Sequence, residues 1–158
     1  MSQTKAALER LDKLEAEAKE IRKILVSSKP QNIIDRVKTF EDALEVYREI
    51  HGEPSNSMNT ILSYSGTDPE MIALQGIAQV NIIRAALNEG WTPAWTKSSE
   101  AKYYPWFDMS SGSGLACGDF GRVGSGSGVG SRLCFKSREL AEYAGKQFIS
   151  IYEKFMTI

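Results

Sequence analysis

The sequence predicts an α+β fold: helices packed on a small antiparallel β-meander, with a coiled-coil-like helix at the N-terminus. Three observations predict it. Before residue 90 and after residue 137, apolar residues recur at helical spacing. Between them, residues 91–138 hold all three tryptophans, eight of the thirteen glycines and both cysteines, so short apolar runs alternate there with glycine-serine turns. The first 28 residues keep a heptad spacing of their own.

The chain divides into an N-terminal heptad helix at 1–28 and a single α+β domain at 32–158. In the helix, Ala7, Leu11, Leu14, Ala18, Ile21 and Leu25 follow one another at intervals of 4, 3, 4, 3 and 4. Leu11, Ala18 and Leu25 take position a; Ala7, Leu14 and Ile21 take position d. Arg10 at g faces Glu15 at the following e, and Glu17 at g faces Arg22, so both pairs attract in a parallel homomeric coil. Leu11, Leu14, Ala18, Ile21 and Leu25 are therefore the expected oligomerisation residues. Pro30 ends the helix.

The domain begins with Ile34 and Val37 as apolar anchors. Thr39 is placed to cap a helix over 40–50, which Gly52 terminates. Residues 53–67 read as a polar loop with an apolar interruption at Ile61 and Leu62. Asp68, Pro69 and Glu70 supply cap, first-turn proline and acid for a helix running to about Asn88. Its apolar residues, Met71, Leu74, Ala78, Ile82 and Ala85 with a second row beside them, mark it as the central core helix.

Three strands follow. The first, at 102–109 (KYYPWFDM), carries aromatics on both faces, and Pro105 removes a ladder donor, so it is expected at an edge or with a bulge. The second is expected at 115–120 and the third at 129–136. Ser137 then caps a last helix whose face, from Leu140 to Phe155, is expected to pack across the sheet.

Composition bounds the function. Hydrophobic residues at 42% and charged residues at 25% describe a globular domain rather than a disordered or membrane chain. A net charge of −1 argues against a protein built to coat nucleic acid. No apolar run of about 18 residues is present, and the N-terminus lacks the apolar core of a signal peptide, so a cytoplasmic protein without a membrane partner is expected. Cys117 and Cys134 are too few for a disulfide framework and read as reduced, buried thiols.

No catalytic or metal signature stands out, and neither cofactor nor metal is expected. His51 is the one histidine, at a helix end where its charge suits the C-terminal dipole. The run 124–132 (GSGSGVGSR) fails as a Walker loop, because Ser131 and Arg132 stand where Lys and Ser/Thr are needed. It fails as a dinucleotide fingerprint as well, because Val129 replaces a required glycine. It reads either as a hairpin turn or as a loop whose backbone approaches a ligand.

The aromatics are more informative. Trp91, Trp95, Tyr103, Tyr104, Trp106, Phe107 and Phe120 fall within thirty residues, followed by Arg122, Arg132, Lys136 and Arg138. Rings stack bases and arginine forks bind phosphate. The expected ligand-binding set is Tyr104 and Trp106 for stacking, Arg122 and Arg132 for phosphate, and Gly126 and Gly128 for close backbone approach.

The runs ALNEGWTPAW at 86–95, KYYPWF at 102–107 and VGSRLCFKSRELAEYAGKQF at 129–148, with Tyr152 beyond, resemble a family of short, uncharacterised proteins of bacteriophages and prophages of gut Bacteroidetes. The likeness covers about residues 34–158 and leaves the N-terminal helix outside. It carries no activity. It implies a small phage-type protein acting in a bacterial cell. In that setting the inventory suits a homo-oligomer that binds and sequesters a nucleotide-derived immune signal, such as a cyclic ADP-ribose isomer or a cyclic dinucleotide, without catalysis. The alternatives are a protein-interaction or minor virion module, or a single-stranded nucleic-acid binder, against which the near-neutral charge weighs.

Overall fold

The computed structural model describes residues 2–28, 32–109 and 114–157 and, within the first helix, the side chains of residues 7, 8 and 10–21. It has an α+β architecture of helices and one antiparallel sheet. The chain forms two compact units, Met1–Asn32 and Ile33–Ile158. The first is a single helix, α1 (Ser2–Ser28). Its heptad leucines and isoleucine face solvent: Leu11, Leu14 and Ile21 are 52–57% exposed, as is Leu8. Ala18 on the same seam is exposed as well. The side chain of Leu25 and the break at Pro30 lie outside the described residues.

The second unit opens with α2 (Ile33–Arg36), which sets Ile33 and Val37 in the core. Helix α3 (Phe40–His51) starts at a reciprocal capping box. Thr39 Oγ1 accepts from the Asp42 N–H at 3.1 Å, and the Asp42 carboxylate accepts from the Thr39 N–H at 2.8 Å. The Thr39 N–H, first, and then the Lys38 N–H, which donates to the same carboxylate at 3.0 Å, hold the Asp42 carboxyl below its ordinary pKa. The region 53–67, expected as loop, contains α4 (Asn56–Leu62), started by Ser55 Oγ accepting from the Met58 N–H. Its apolar content is too small to give a helical period, so only the cap distinguishes it in the sequence.

Helix α5 (Pro69–Leu87) begins as expected, with the Asp68 carboxylate accepting from the N–H groups of Glu70 and Met71. Its second half is buried nearly all round: Val80, Ile82, Ile83, Ala85, Ala86 and Leu87 are all under 5% exposed. Gly76 sits mid-helix because α7 passes there. A Cβ at Gly76 would lie 2.8 Å from Lys154 Cβ and 3.0 Å from the Ile151 carbonyl.

Strands β1 (Lys102–Asp108) and β2 (Ala116–Val123) pair antiparallel. Trp106 stands opposite Asp119, yet Phe107 stands opposite Cys117, so Gly118 is the extra residue of a bulge. The glycine-serine turn at 110–113 lies outside the described residues. The expected third strand at 129–136 is reduced to one bridge. Tyr103 and Phe135 exchange both backbone hydrogen bonds, at 3.0 and 2.7 Å, and the pairing ends there. Tyr103 and Pro105 turn their main-chain groups to the same side of β1. The next donor a third strand needs is therefore the one that proline lacks.

The expected last helix is two helices, α6 (Arg138–Gln147) and α7 (Ile149–Met156), broken at the buried Phe148. Ser137 caps α6 as predicted, accepting from the Leu140 N–H. The apolar stripe runs on unbroken because both pieces face the core, against different neighbours. α6 lies over the sheet and α7 along α5. Gly145 lets α6 come down onto Pro105 and Cys117. Both cysteines are free thiols; Cys117 is half-buried and Cys134 buried. No helix among the described residues is long and apolar enough to cross a membrane.

Candidate anion-binding site

Alternation along β1 sends Tyr103, Pro105 and Phe107 to one face and Lys102, Tyr104 and Trp106 to the other. The first face is core. Tyr103 meets Phe120 at a ring separation of 5.7 Å, and Phe107 meets Tyr152 of α7 at 4.8 Å. On the second face Tyr104 lies over Gly121, where any side chain would collide with its ring. Tyr104 and Trp106 are 6.4 Å apart between centroids, and Trp106 is 58% exposed. The two residues expected to stack are thus together and accessible.

Arg122 does not join them. It is the register partner of Tyr103, and cross-strand partners share a face, so it stands on the opposite side of the sheet from Tyr104 and Trp106. The single-site set of Tyr104, Trp106 and Arg122 expected from the sequence is therefore divided by the sheet itself.

At the other end of β1, Lys102 is fully buried. Its ammonium donates to the carbonyls of Ala94, Lys97 and Glu100 at 2.7, 3.2 and 2.8 Å. It lies 3.5 Å from the Glu100 carboxylate and 5.3 Å above the centre of the Trp95 ring. The Ala94 N–H, first, and then the charge of Lys102 hold the Glu100 carboxyl below its ordinary pKa. This cation fastens the 91–101 connection to the sheet and orients Trp95. The Trp95 indole N–H in turn donates to Ser131 Oγ at 2.6 Å.

Ser131 precedes Arg132, whose charge reaches Arg84 of α5. Burial, first, and then the charge of Arg132 lower the pKa of Arg84. Among the described residues neither arginine has a hydrogen bond or ion pair, and the Nε of Arg84 is buried without an acceptor. Glu89, one turn along, is already engaged by Lys136 at 2.6 Å. Cys134 is within reach but adds no charge, since burial pushes its thiol further up.

Asn88 makes the juxtaposition. Fully buried at the end of α5, it donates to the Cys134 carbonyl at 2.9 Å and accepts from the Lys136 N–H at 3.0 Å. Those two bonds hold the 134–136 segment against the last turn of α5, and Arg132 is brought to Arg84 with it. Gly126 and Gly128 are exposed and a Cβ on either would meet nothing, so no close approach within the chain requires them. The loop between them is nonetheless ordered by Ser127, whose hydroxyl accepts from the N–H groups of Val129 and Gly130 at 3.1 and 3.0 Å. Those two donors are spent on Ser127.

Of the expected set, Arg132 belongs to this site. Arg84 and Trp95 are the members missing from it. Arg84 had a signal: it is the one basic residue of α5, set in the apolar run VNIIRAAL. Two arginines close enough to feel each other's charge, with no carboxylate paired to either, are the residue type that can bind phosphate with two hydrogen bonds, and Trp95 is tied through Ser131 to the residue before Arg132. No family model, curated protein or solved structure matches the chain.

Proposed function

We propose that this protein binds a phosphate-bearing, nucleotide-derived molecule at Arg84 and Arg132 and holds it without transforming it, in the manner of a phage-type protein that sequesters a host signal. The observation that carries the reading is the unneutralised arginine pair with the buried, unpartnered Nε of Arg84. An anion there would supply the missing acceptor and relieve the repulsion between the two charges. Trp95 offers the aromatic surface such ligands use for their base.

The test is thermal unfolding against inorganic pyrophosphate, ADP-ribose derivatives, cyclic dinucleotides and a short single-stranded DNA. A ligand bound at a hundredfold excess over its Kd stabilises by about 2.7 kcal/mol, a rise of several degrees. Arg132→Gln, an exposed change, is expected to remove that rise while leaving the unliganded Tm within about a degree. If pyrophosphate and every nucleotide leave the wild-type Tm unmoved, the reading fails. A response to DNA alone would transfer it to nucleic-acid binding.

Self-association through α1 belongs to the same proposal. Its exposed leucine and isoleucine seam, with attracting g and e charges, suits a second copy of the same helix in parallel. Leu14→Glu with Ile21→Glu in the full chain is expected to lower the mass seen in light scattering, and an unchanged mass would remove the coil from the proposal. A protein-interaction role is the second reading. Trp106 and Met109, 58% and 55% exposed at one end of β1, favour it. A nucleotide panel with no response, together with capture of a host protein lost on Trp106→Ala, would select it.

A further inference from the structure

The sheet has two outer edges, and they are finished differently. On β1 the bridge to Phe135 uses the main-chain groups of Tyr103, and Pro105 withdraws the next donor. On β2 no proline intervenes. Because Tyr103 turns its N–H and C=O to Phe135, alternation turns those of Tyr104 to its register partner Gly121. Phe120 and Arg122, on either side of Gly121, therefore turn theirs to the free edge, where β2 has no second neighbour. Among the described residues one of these groups is engaged: the Phe120 N–H donates to the Asp119 carboxylate at 2.8 Å. Gly118, Asp119 and Arg122 are exposed along this edge.

An unpaired edge is a template for a further strand. The bulge at Gly118 ends the regular ladder on one side and leaves 119–123 as a short open stretch. That stretch is complementary to itself. Residues opposite one another in an antiparallel pair share a face, so a second β2 that extends the same sheet must add about a two-fold axis centred on one residue. Centring on Arg122 sets two like charges opposite each other, which repels. Centring on Phe120 sets Arg122 opposite the bulged Gly118, where the ladder is broken. Centring on Gly121 sets Phe120 opposite Arg122 twice. Both residues then exchange their outward N–H and C=O groups, and each guanidinium meets an aromatic ring. The two Gly121 residues face each other on the axis, their Cα atoms about 4.5 Å apart. Gly121 is also where the Tyr104 ring reaches across β2, since a Cβ there would collide with it. The Tyr104 rings of the two copies are thereby brought together on the exposed face of the sheet.

We propose that the free edge of β2 binds a second copy of this chain, Phe120 pairing with the partner's Arg122 about an axis through Gly121, to make one four-stranded sheet from two molecules. Asp119 guards the edge, because pairing exchanges its bond to the Phe120 N–H for one to the partner's Arg122 carbonyl. The interface uses neither Arg84, Arg132 nor α1, so it stands apart from the anion site and from the coil.

The test is made in the full chain carrying Leu14→Glu and Ile21→Glu, which takes the α1 seam out of the measurement. Sedimentation equilibrium up to about 0.5 mM chain, enough to populate a dimer with a Kd near 1 mM, is expected to show mass rising towards two chains. A mass of one chain throughout overturns the proposal. Arg122→Pro removes only a donor that points away from β1, so the β1–β2 ladder should survive, as circular dichroism checks, and the mass should fall to one chain. A dimer that persists in folded Arg122→Pro lies elsewhere and overturns the proposal. Should that variant unfold, amide hydrogen exchange decides. The Gly121 N–H, turned to β1, should be protected at every concentration, and the Arg122 N–H only as the dimer forms. An Arg122 N–H that exchanges alike in dilute and concentrated protein overturns it. Asp119→Ala frees the Phe120 N–H and is expected to tighten pairing about fivefold; a loss of the dimer on this change overturns it equally. The pyrophosphate response should be the same in Arg122→Pro as in its parent, which keeps this outcome distinct from that of the anion site.

Discussion

Lys102 and Arg84 are both cations carried into the body of the domain, and the fold treats them oppositely. Lys102 is fully buried, yet three carbonyls, a carboxylate and the face of Trp95 surround its ammonium. Arg84 is less deeply placed, yet it faces a second arginine and has an Nε with no acceptor. Burial alone therefore does not distinguish a structural charge from a functional one. A cation whose every proton is taken by its own chain is a fastening. One whose acceptors are lacking is, on the function proposed above, the group an anion from outside would satisfy.

The same substitution at the two positions should separate these roles by sign. Lys102→Met keeps length and apolar volume but leaves the carbonyls of Ala94, Lys97 and Glu100 without the donor they share. It should destabilise by about 3 kcal/mol, read as a fall of roughly 10 °C in Tm. The loss should come with exposure of Trp95, whose fluorescence would shift to the red, because the 91–101 connection is no longer held to β1. A Tm within two degrees of wild type, as a rough bound for a change of under 1 kcal/mol, would mean the carbonyls find water and the fastening is weak.

The contrast also explains what the sequence could and could not disclose. The starts of α3, α5 and α6 were legible because Thr39, Asp68 and Ser137 act on N–H groups two or three residues away. That Pro105 withdraws a ladder donor from β1 was legible for the same local reason, although the bulge itself lies at Gly118 of β2. The loss of the third strand was not, because it depends on which side of β1 the proline turns, and that is fixed only once Tyr103 pairs with Phe135. The break at Phe148 was hidden by a stripe that is apolar on both sides of it. Arg122 and Arg132 looked equivalent as cations near aromatics. Strand register sends the first to the wrong face, and Asn88, acting across 46 and 48 residues, brings the second to Arg84. Local chemistry survives in the string of residues; pairings between distant segments do not, and the candidate site is made of such a pairing.

Arg84→Met is the smaller and more discriminating change. In the absence of ligand it removes a partly buried charge, its repulsion from Arg132 and an unpaired donor, while the methionine keeps most of the packing against α5's neighbours. It should therefore raise stability, by on the order of 1 kcal/mol, where the identical replacement of Lys102 lowers it. Added pyrophosphate should reverse the order of the two proteins: wild type gains and Arg84→Met does not, so their melting curves cross as the anion is titrated in. If Arg84→Met is instead less stable than wild type without any anion, then the guanidinium has acceptors of its own within the fold. Arg84 would in that case be a second Lys102 and not half of a binding site.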